Sequence, residues 1–440
     1  VSRTNPVTYA IAVVSDWFGA KHAAMSLFAH SPRSDYAAWW GAVGLMQAGK
    51  EEQALALLAR ARSVHPGWKR TKRLLATLYL RHDPEKAVQL YGSPADIWEQ
   101  LTLGDFLYFF LRREEEGIEW WKRAYEGIDW ETARELDNPA RLLLKRLCRV
   151  TGDPRLLERF AELDTDNFRQ RDIVDYATIL ASRGENEKAR EMLDRGLYIY
   201  RGDKALKACW EQLGFGELPV YRTKVSGTSA VRRNVYTGLL TETSDLASVV
   251  DRVHKEYPTG IITIASSVMT MCEGTLLWIY TFQPSRLARF LGPYTGHGNG
   301  TFVHWYSWPN EAAWKVQAYM ELSGTFRVLV GTAATLLGRL LHHKGWFYAI
   351  VGSVAKAVDS DKVMPYDACL VPGPLDVQAS IAALTKGGAR ISVVDVNDVT
   401  GAEIVASTSD IDEDWLRRSL EDNPAGNDDS MTPIVVVLPQ

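Results

Sequence analysis

Helix-breaking or turn residues recur along the first part of the chain at Gly19, Gly49, Asp83, Gly117, Gly152 and Gly184, at intervals of 30, 34, 34, 35 and 32 residues. Between them, up to about Ala205, Ala, Leu, Arg and Glu dominate, and apolar residues return every three or four positions, the period of amphipathic helices. A chain punctuated this regularly is constrained to repeat one helix-turn-helix unit, and such a unit buries its apolar face only by stacking on its neighbours. The expectation is an α-solenoid over residues 1–205, with an extended concave surface.

The best-formed copy is WWGAVGLMQAGKEEQALALLARARSVHP, where small Ala42 and Ala54 permit close helix crossing, Leu45 and Leu58 fill the seam, and Pro66 ends the second helix. A second, DYATILASRGENEKAREMLDRGLYIY, supplies Ala177, Leu180, Gly184, Ala189 and Leu193, each 135 residues after its counterpart. These copies resemble the tetratricopeptide repeat, whose period is about 34 residues. The hairpins between them carry bulky Phe109, Trp120 and Trp121 where the pattern has small residues, so irregular stacking is expected there. The resemblance implies recruitment of a peptide, protein or carrier substrate; the plainer alternative is a structural extension. The charge runs at 112–116 and 185–190 read as solvated helix faces, and most of the 15 tryptophans, at helical spacing, read as core.

After about Gly214 the texture changes: Gly, Thr, Ser and Val rise, and GELPVYRTKVSGTSAVRRNV reads as a boundary segment. Beyond it IITIAS, LLWIYTF, FRVLVG, RISVVDV and PIVVVL read as buried strands, alternating with helical DLASVVDRVHKEY and DEDWLRRSLEDN. The fold class expected is therefore α + α/β, a helical repeat domain over 1–205 followed by a mixed α/β domain over 206–440. Residues 326–358 are dense in apolar residues, but Arg327, Arg339, His342, His343, Lys344 and Lys356 interrupt them. Uncharged stretches of about 11 residues fall short of the roughly 20 that a span needs, so a buried strand, helix and strand are expected instead.

With 46% hydrophobic and 24% charged residues and a formal charge of −4, the chain has a globular composition and no broad electrostatic footprint for nucleic acid. Cys148, Cys209, Cys272 and Cys369 are scattered without a C-x-x-C pair, which argues against a zinc cluster or disulfide framework and for a reducing, cytoplasmic setting. The N-terminal stretch has no basic leader, sustained apolar run and small-residue cleavage site, so no signal peptide is expected.

Three polar segments follow apolar ones in the C-terminal half. The first, Ile261 to Thr275, is a strand, a turn at Ser266 and Ser267, a short helix, then Glu273 and Gly274; hydroxyls and free backbone N–H groups at a strand end suit phosphate oxygens. The second, VVDVNDVTG, places Asp395, Asn397 and Asp398 past a strand, oxygen ligands of the kind magnesium or manganese prefers; an Asx turn explains them equally well. The third, Glu421 to Pro433, holds Asn423, Asp428 and Thr432, and reads either as part of a metal or nucleotide site or as a polar turn. His297 in GPYTGHGNG and His304 in FVHWYSW could face a site, though a lone histidine is more often structural. His342 and His343 read as a solvated helix end.

In this order, and with KGWFYAIVGSVAKAVD between the first and second, these segments resemble the coenzyme F-420 gamma-glutamyl ligase superfamily in a divergent short form, over roughly half the chain. The resemblance implies a GTP- or ATP-dependent carboxylate–amine ligase that needs magnesium or manganese and forms an amide through an acyl phosphate. Transferred to this chain, Asp398, with Gly401, is a metal ligand and catalytic residue, and Glu273 is catalytic. Ser266, Ser267, Gly274, Thr275, Asn423 and Thr432 hold the nucleotide, and Asp395, Asn397 and Asp428 complete the metal site. The long-form enzymes carry lysines and an arginine where this chain has Ser267, Met271 and Thr275, and their Ala-Asn-Ala-Gly-Val-Asp segment has no counterpart. These departures define the alternative: a non-catalytic scaffold or a nucleotide sensor.

Overall fold

The computed structural model describes residues 5–135, 138–165, 168–200, 203–221, 226–295, 311–341, 346–352, 358–360, 363–397, 401–425 and 431–438. Helices fill the first half: α1 (Pro6–Trp17), α2 (Lys21–His30), α3 (Asp35–Gln47), α4 (Glu51–Val64), α5 (Lys69–His82), α6 (Pro84–Tyr91), α7 (Ile97–Asp105), α8 (Glu114–Glu126), α9 (Ala140–Thr151), α10 (Pro154–Asp164), α11 (Gln170–Ser182), α12 (Asn186–Ile199) and α13 (Lys204–Gln212). Strands β1 (Val231–Val235) and β2 (Ile261–Ala265) then flank α14 (Leu246–Glu256), and α15 (Ser266–Glu273) follows. Next come β3 (Leu277–Trp278), α16 (Arg286–Leu291), α17 (Glu311–Ser323), α18 (Thr325–Leu340), α19 (Trp346–Val351), β4 (Asp359–Ser360) and β5 (Cys369–Val371). The chain closes with α20 (Val377–Leu384), β6 (Arg390–Asn397), β7 (Gly401–Ser407), α21 (Glu413–Ser419) and β8 (Ile434–Leu438).

The chain forms two compact units, each built from two separate segments: Val1–Pro139 with Glu273–Leu375, and Ala140–Cys272 with Asp376–Gln440. In the first unit, sequential helices pack as hairpins. The turn residues Gly19 and Gly49, like Gly152 and Gly184 in the second unit, take positive φ, as turns between helices favour. Gly117 differs from the sequence expectation: it lies inside α8, not in a turn. A Cβ there would sit 2.8 Å from the Gly104 carbonyl oxygen and 2.9 Å from Tyr108 Cβ, so the glycine allows α7 and α8 to cross in backbone contact.

The inner face of the first unit is held by buried charge. Arg70 of α5 donates to both carboxylate oxygens of Glu321 on α17 at 2.7 and 2.9 Å, and both side chains are buried. Lys72 pairs with Glu99 at 2.7 Å, and the Arg73 guanidinium lies 3.8 Å from the Trp278 ring centroid. Asp35 accepts the backbone N–H groups of Arg70 and Thr71 at 3.0 and 2.8 Å, satisfying orphan donors at the start of α5. A small antiparallel sheet, in the order β3-β5-β4, completes the unit.

Two segments expected as strands are otherwise. FRVLVG lies within α18, and LLWIYTF contributes only a two-residue strand followed by a 3-10 turn, Ile279–Thr281. The strand-helix-strand expected over 326–358 is thus replaced by α18 and α19, with 342–345 and 353–357 outside the described residues. A window of six or seven mostly apolar residues is too short to separate a period of two from one of 3.6.

The second unit combines α9–α14 and most of α15 with a five-stranded mixed sheet in the order β1-β8-β2-β6-β7. β2 and β6 are parallel; the other pairs are antiparallel. IITIA, RISVVDV and PIVVV are strands, as expected. One face of the sheet, through Ile262, Ile264, Ile391, Val393, Ile434 and Val436, is covered by Val250 and Val253 of α14, Met269 of α15 and Ile381 of α20. The other, through Ile261, Val394, Val435 and Val437, receives Leu416 and Leu420 at α21. Each of those two leucines contributes roughly 1.5–3 kcal/mol by leaving water.

Candidate functional site

β2 passes directly into α15: the strand ends at Ala265 and the helix begins at Ser266. Ala265 lies opposite Val394 of parallel β6, so Asp395 and Asn397 continue beyond the end of β2. Antiparallel β8 enters at the same edge, with Ile434 opposite Ile264, and Ala265 N–H donates to the Pro433 carbonyl at 3.1 Å. Thr432, two residues before β8, donates its hydroxyl to the Ala425 carbonyl at 3.3 Å and so ties the Asn423 loop to this edge. Asn423 is buried with φ +48°. The Asn234 side-chain amide, from β1, donates to the neighbouring Pro424 carbonyl at 2.5 Å.

Ser266, Ser267, Asp395, Asn397, Thr432 and Asn423 therefore gather around one edge of the sheet, at the carboxyl ends of its parallel pair. Ser266 is buried; Ser267, Asp395 and Thr432 are half-buried. Sequence reasoning missed Glu403, which stands opposite Asp395 in the β6–β7 ladder. Directly opposed residues share a face with Cβ atoms about 5 Å apart, so two carboxylates project together there. The signal was the paired alternation of VVDVN and GAEIV, legible only once their register is known. Two carboxylates are hard oxygen donors and fit magnesium, calcium or manganese rather than a thiophilic metal. Among the described residues no group of three or more His, Cys, Asp and Glu side chains is placed to hold a metal ion.

Asp398 and Asp428 lie outside the described residues, as do His297, His304, His342 and His343. Glu273, Gly274 and Thr275 belong to the first unit, whereas the residues up to Cys272 belong to the second. Glu273 is the last residue of α15 and half-buried, Gly274 has φ +74°, and Thr275 is buried with no hydrogen-bond partner for its hydroxyl among the described residues. No protein-family profile matches the chain, and no curated protein does.

The Cys148 thiol is pushed up to about 12 by burial, reinforced by Asp172, so it stays protonated at neutral pH and is a poor nucleophile. In the first unit a cleft lined by Trp39, Arg70, Arg73, Leu276, Trp278 and Thr281 offers about 10 Å³, room for no more than one water molecule and far below the size of a small-molecule site. The sheet edge of the second unit is the stronger candidate.

Proposed function

We propose that the chain is a nucleotide- and metal-dependent ligase that joins an amine to a carboxylate, working at the sheet edge of the second unit. What supports this reading is the gathering of Ser266, Ser267, Asp395, Asn397 and Thr432 at the carboxyl ends of β2 and β6, where open α/β sheets bind ligands. The backbone N–H groups at the start of α15 and the hydroxyls of Ser266, Ser267 and Thr432 would take phosphate oxygens, with Asn423 completing the nucleotide contacts. Asp395 and Asn397, with Asp398 and Asp428, would hold magnesium or manganese, whose charge offsets that of the phosphates. Asp398 is the catalytic residue of this proposal.

The reaction has two steps. A substrate carboxylate oxygen attacks the γ-phosphorus of GTP or ATP, breaking the bond to the β-phosphate bridging oxygen and releasing the nucleoside diphosphate. The amine nitrogen then attacks the acyl carbon, inorganic phosphate leaves, and the amine proton passes to a base. The helical hairpins, read as a tetratricopeptide-like array, would recruit the peptide, protein or carrier that bears one reactant, in a cytoplasmic setting.

Titration calorimetry with GTP and ATP in magnesium or manganese, paired with a diphosphate-release assay, tests this. Binding and release in the wild type are expected, with both lost in Asp398→Ala while circular dichroism is unchanged. Normal turnover in that variant would sink the assignment. Absence of binding under every metal condition would leave a scaffold. Uncharged Ser267, Met271 and Thr275, at positions where cations would grip phosphate, favour a second reading: a nucleotide sensor that binds without turnover.

A further inference from the structure

The first unit carries an apolar face that its own core does not use. On α1, Val7, Ile11 and Val14, with Phe18 at its C-terminal cap, repeat at helical spacing and all are exposed, joined by Val13 and Trp17; Ala12 is the helix's one buried residue. On α18, Phe326, Val330 and Leu337, with Leu341 just past its end, form a second solvent-facing stripe, flanked by Leu336 and Leu340. On α16, Leu287 and Phe290 are exposed, and Tyr294 follows. The exposures reach 62% at Val7, 65% at Phe290 and 77% at Leu340, far beyond a scatter of single surface leucines.

These elements form one surface. The Phe326 ring lies 5.6 Å from Trp17 and 5.3 Å from Phe18, and Phe290 lies 5.7 Å from Tyr294, whose turn packs on α18. The α1–α2 and α17–α18 turns meet at a glycine pair: a Cβ on Gly324 would come within 2.4 Å of the Gly19 backbone nitrogen, and one on Gly19 within 2.3 Å of the Ser323 carbonyl oxygen. That contact fixes α1 beside α18.

The charge on this face has one sign. Residues 274–310 and 323–358 contain no Asp or Glu, and neither do residues 1–15. Asp16, the first acid, is engaged by Lys21 and Tyr36. Arg286, Arg289 and Arg327 are exposed, and none has an ion-pair partner among the described residues. Exposed Phe, Trp and Leu interspersed with arginine suit the boundary between acyl chains and anionic headgroups. A second copy meeting this face through the same α1, α16 and α18 segments would oppose arginine with arginine, and uncompensated like charges disfavour such two-fold pairing. No helix of the described residues is long and apolar enough to cross a membrane.

We infer that α1, α16 and α18 form a docking face for an anionic lipid surface, on which the first unit lies without spanning it. The inference is independent of the ligase reading. Co-sedimentation of the full chain with phosphatidylcholine vesicles, with and without phosphatidylglycerol, tests it. Binding is expected with phosphatidylglycerol and should weaken on adding salt. Leu337→Glu with Leu340→Glu should reduce it by about ten-fold or more, and Arg286→Glu with Arg289→Glu should reduce it while leaving the melting temperature unchanged. No binding to phosphatidylglycerol vesicles, or equal binding by the leucine variant, would overturn the proposal. So would a dimer, seen by light scattering, that the leucine substitutions dissociate, since the face would then belong to a second copy.

Discussion

The residues that most define the first unit are cations where a helix least tolerates them. α5 opens with Lys69-Arg70-Thr71-Lys72-Arg73 and has no acid in its first turn, against the sign of the helix dipole. Arg70, Lys72 and Arg73 are also buried, which demands partners. Glu321 answers Arg70 from 251 residues away, a pairing that one-dimensional reading has no means to see; the misplaced charge was the only trace of it. Burial alone would lower the Arg70 pKa, but the Glu321 carboxylate outweighs it and raises it, so the guanidinium stays charged. Glu321→Gln should therefore leave a buried unpaired cation and cost about 3–5 kcal/mol of unfolding free energy. Replacing both partners, with Arg70→Met and Glu321→Leu, should cost less, because no charge is then stranded. Chemical denaturation of the three proteins checks this ordering; a single variant as stable as the wild type would show that the pair does not form.

At the scale of elements, the sequence was most legible where pattern and burial agree. IITIA, RISVVDV and PIVVV are flanked on both faces by helices, so their continuous apolar runs read correctly as buried strands. FRVLVG looks the same locally, yet Phe326 and Val330 belong to a helical stripe that faces outward, and only the longer window to Leu341 shows its period. The candidate site was partly legible for a related reason. Ser266 follows the last residue of β2 and Asp395 lies inside β6 near its end, not past the strand as expected; their adjacency depends on β2 and β6 being parallel neighbours, and Glu403 enters only through the β6–β7 register. Gly117 was legible as special but misread as a turn. Because its missing Cβ admits the Gly104 carbonyl, Gly117→Ala should destabilise by about 1–3 kcal/mol through overpacking, exceeding the roughly 1 kcal/mol that alanine gains in helix propensity. Gly67→Ala, where a Cβ meets nothing, is the control for a urea titration. Equal midpoints for the two variants would refute the close crossing.

Taken whole, the chain alternates between its units: the first uses Val1–Pro139 and Glu273–Leu375, the second the two segments between and after them. The change of texture near Gly214 marks where strands begin, a local property of composition, whereas a compact unit is defined by which segments share a core. Cutting the chain at 205/206 would separate Arg70 from Glu321 and Gly19 from Gly324, and would strip α17 from the helices it packs against. The N-terminal fragment would keep its local helices, since hairpins such as α3–α4 rest on near-neighbour contacts, but Arg70 would lose the carboxylate that neutralises it. Fragment 1–205 should therefore be helical by far-ultraviolet circular dichroism, lack a near-ultraviolet tryptophan signal and unfold without a cooperative transition, behaving as a molten globule. Adding a separately produced fragment that carries 273–375 should restore the near-ultraviolet signal. A cooperative thermal transition in 1–205 alone would show that the helical repeats fold as an autonomous domain, and that the later segment is only an addition to them.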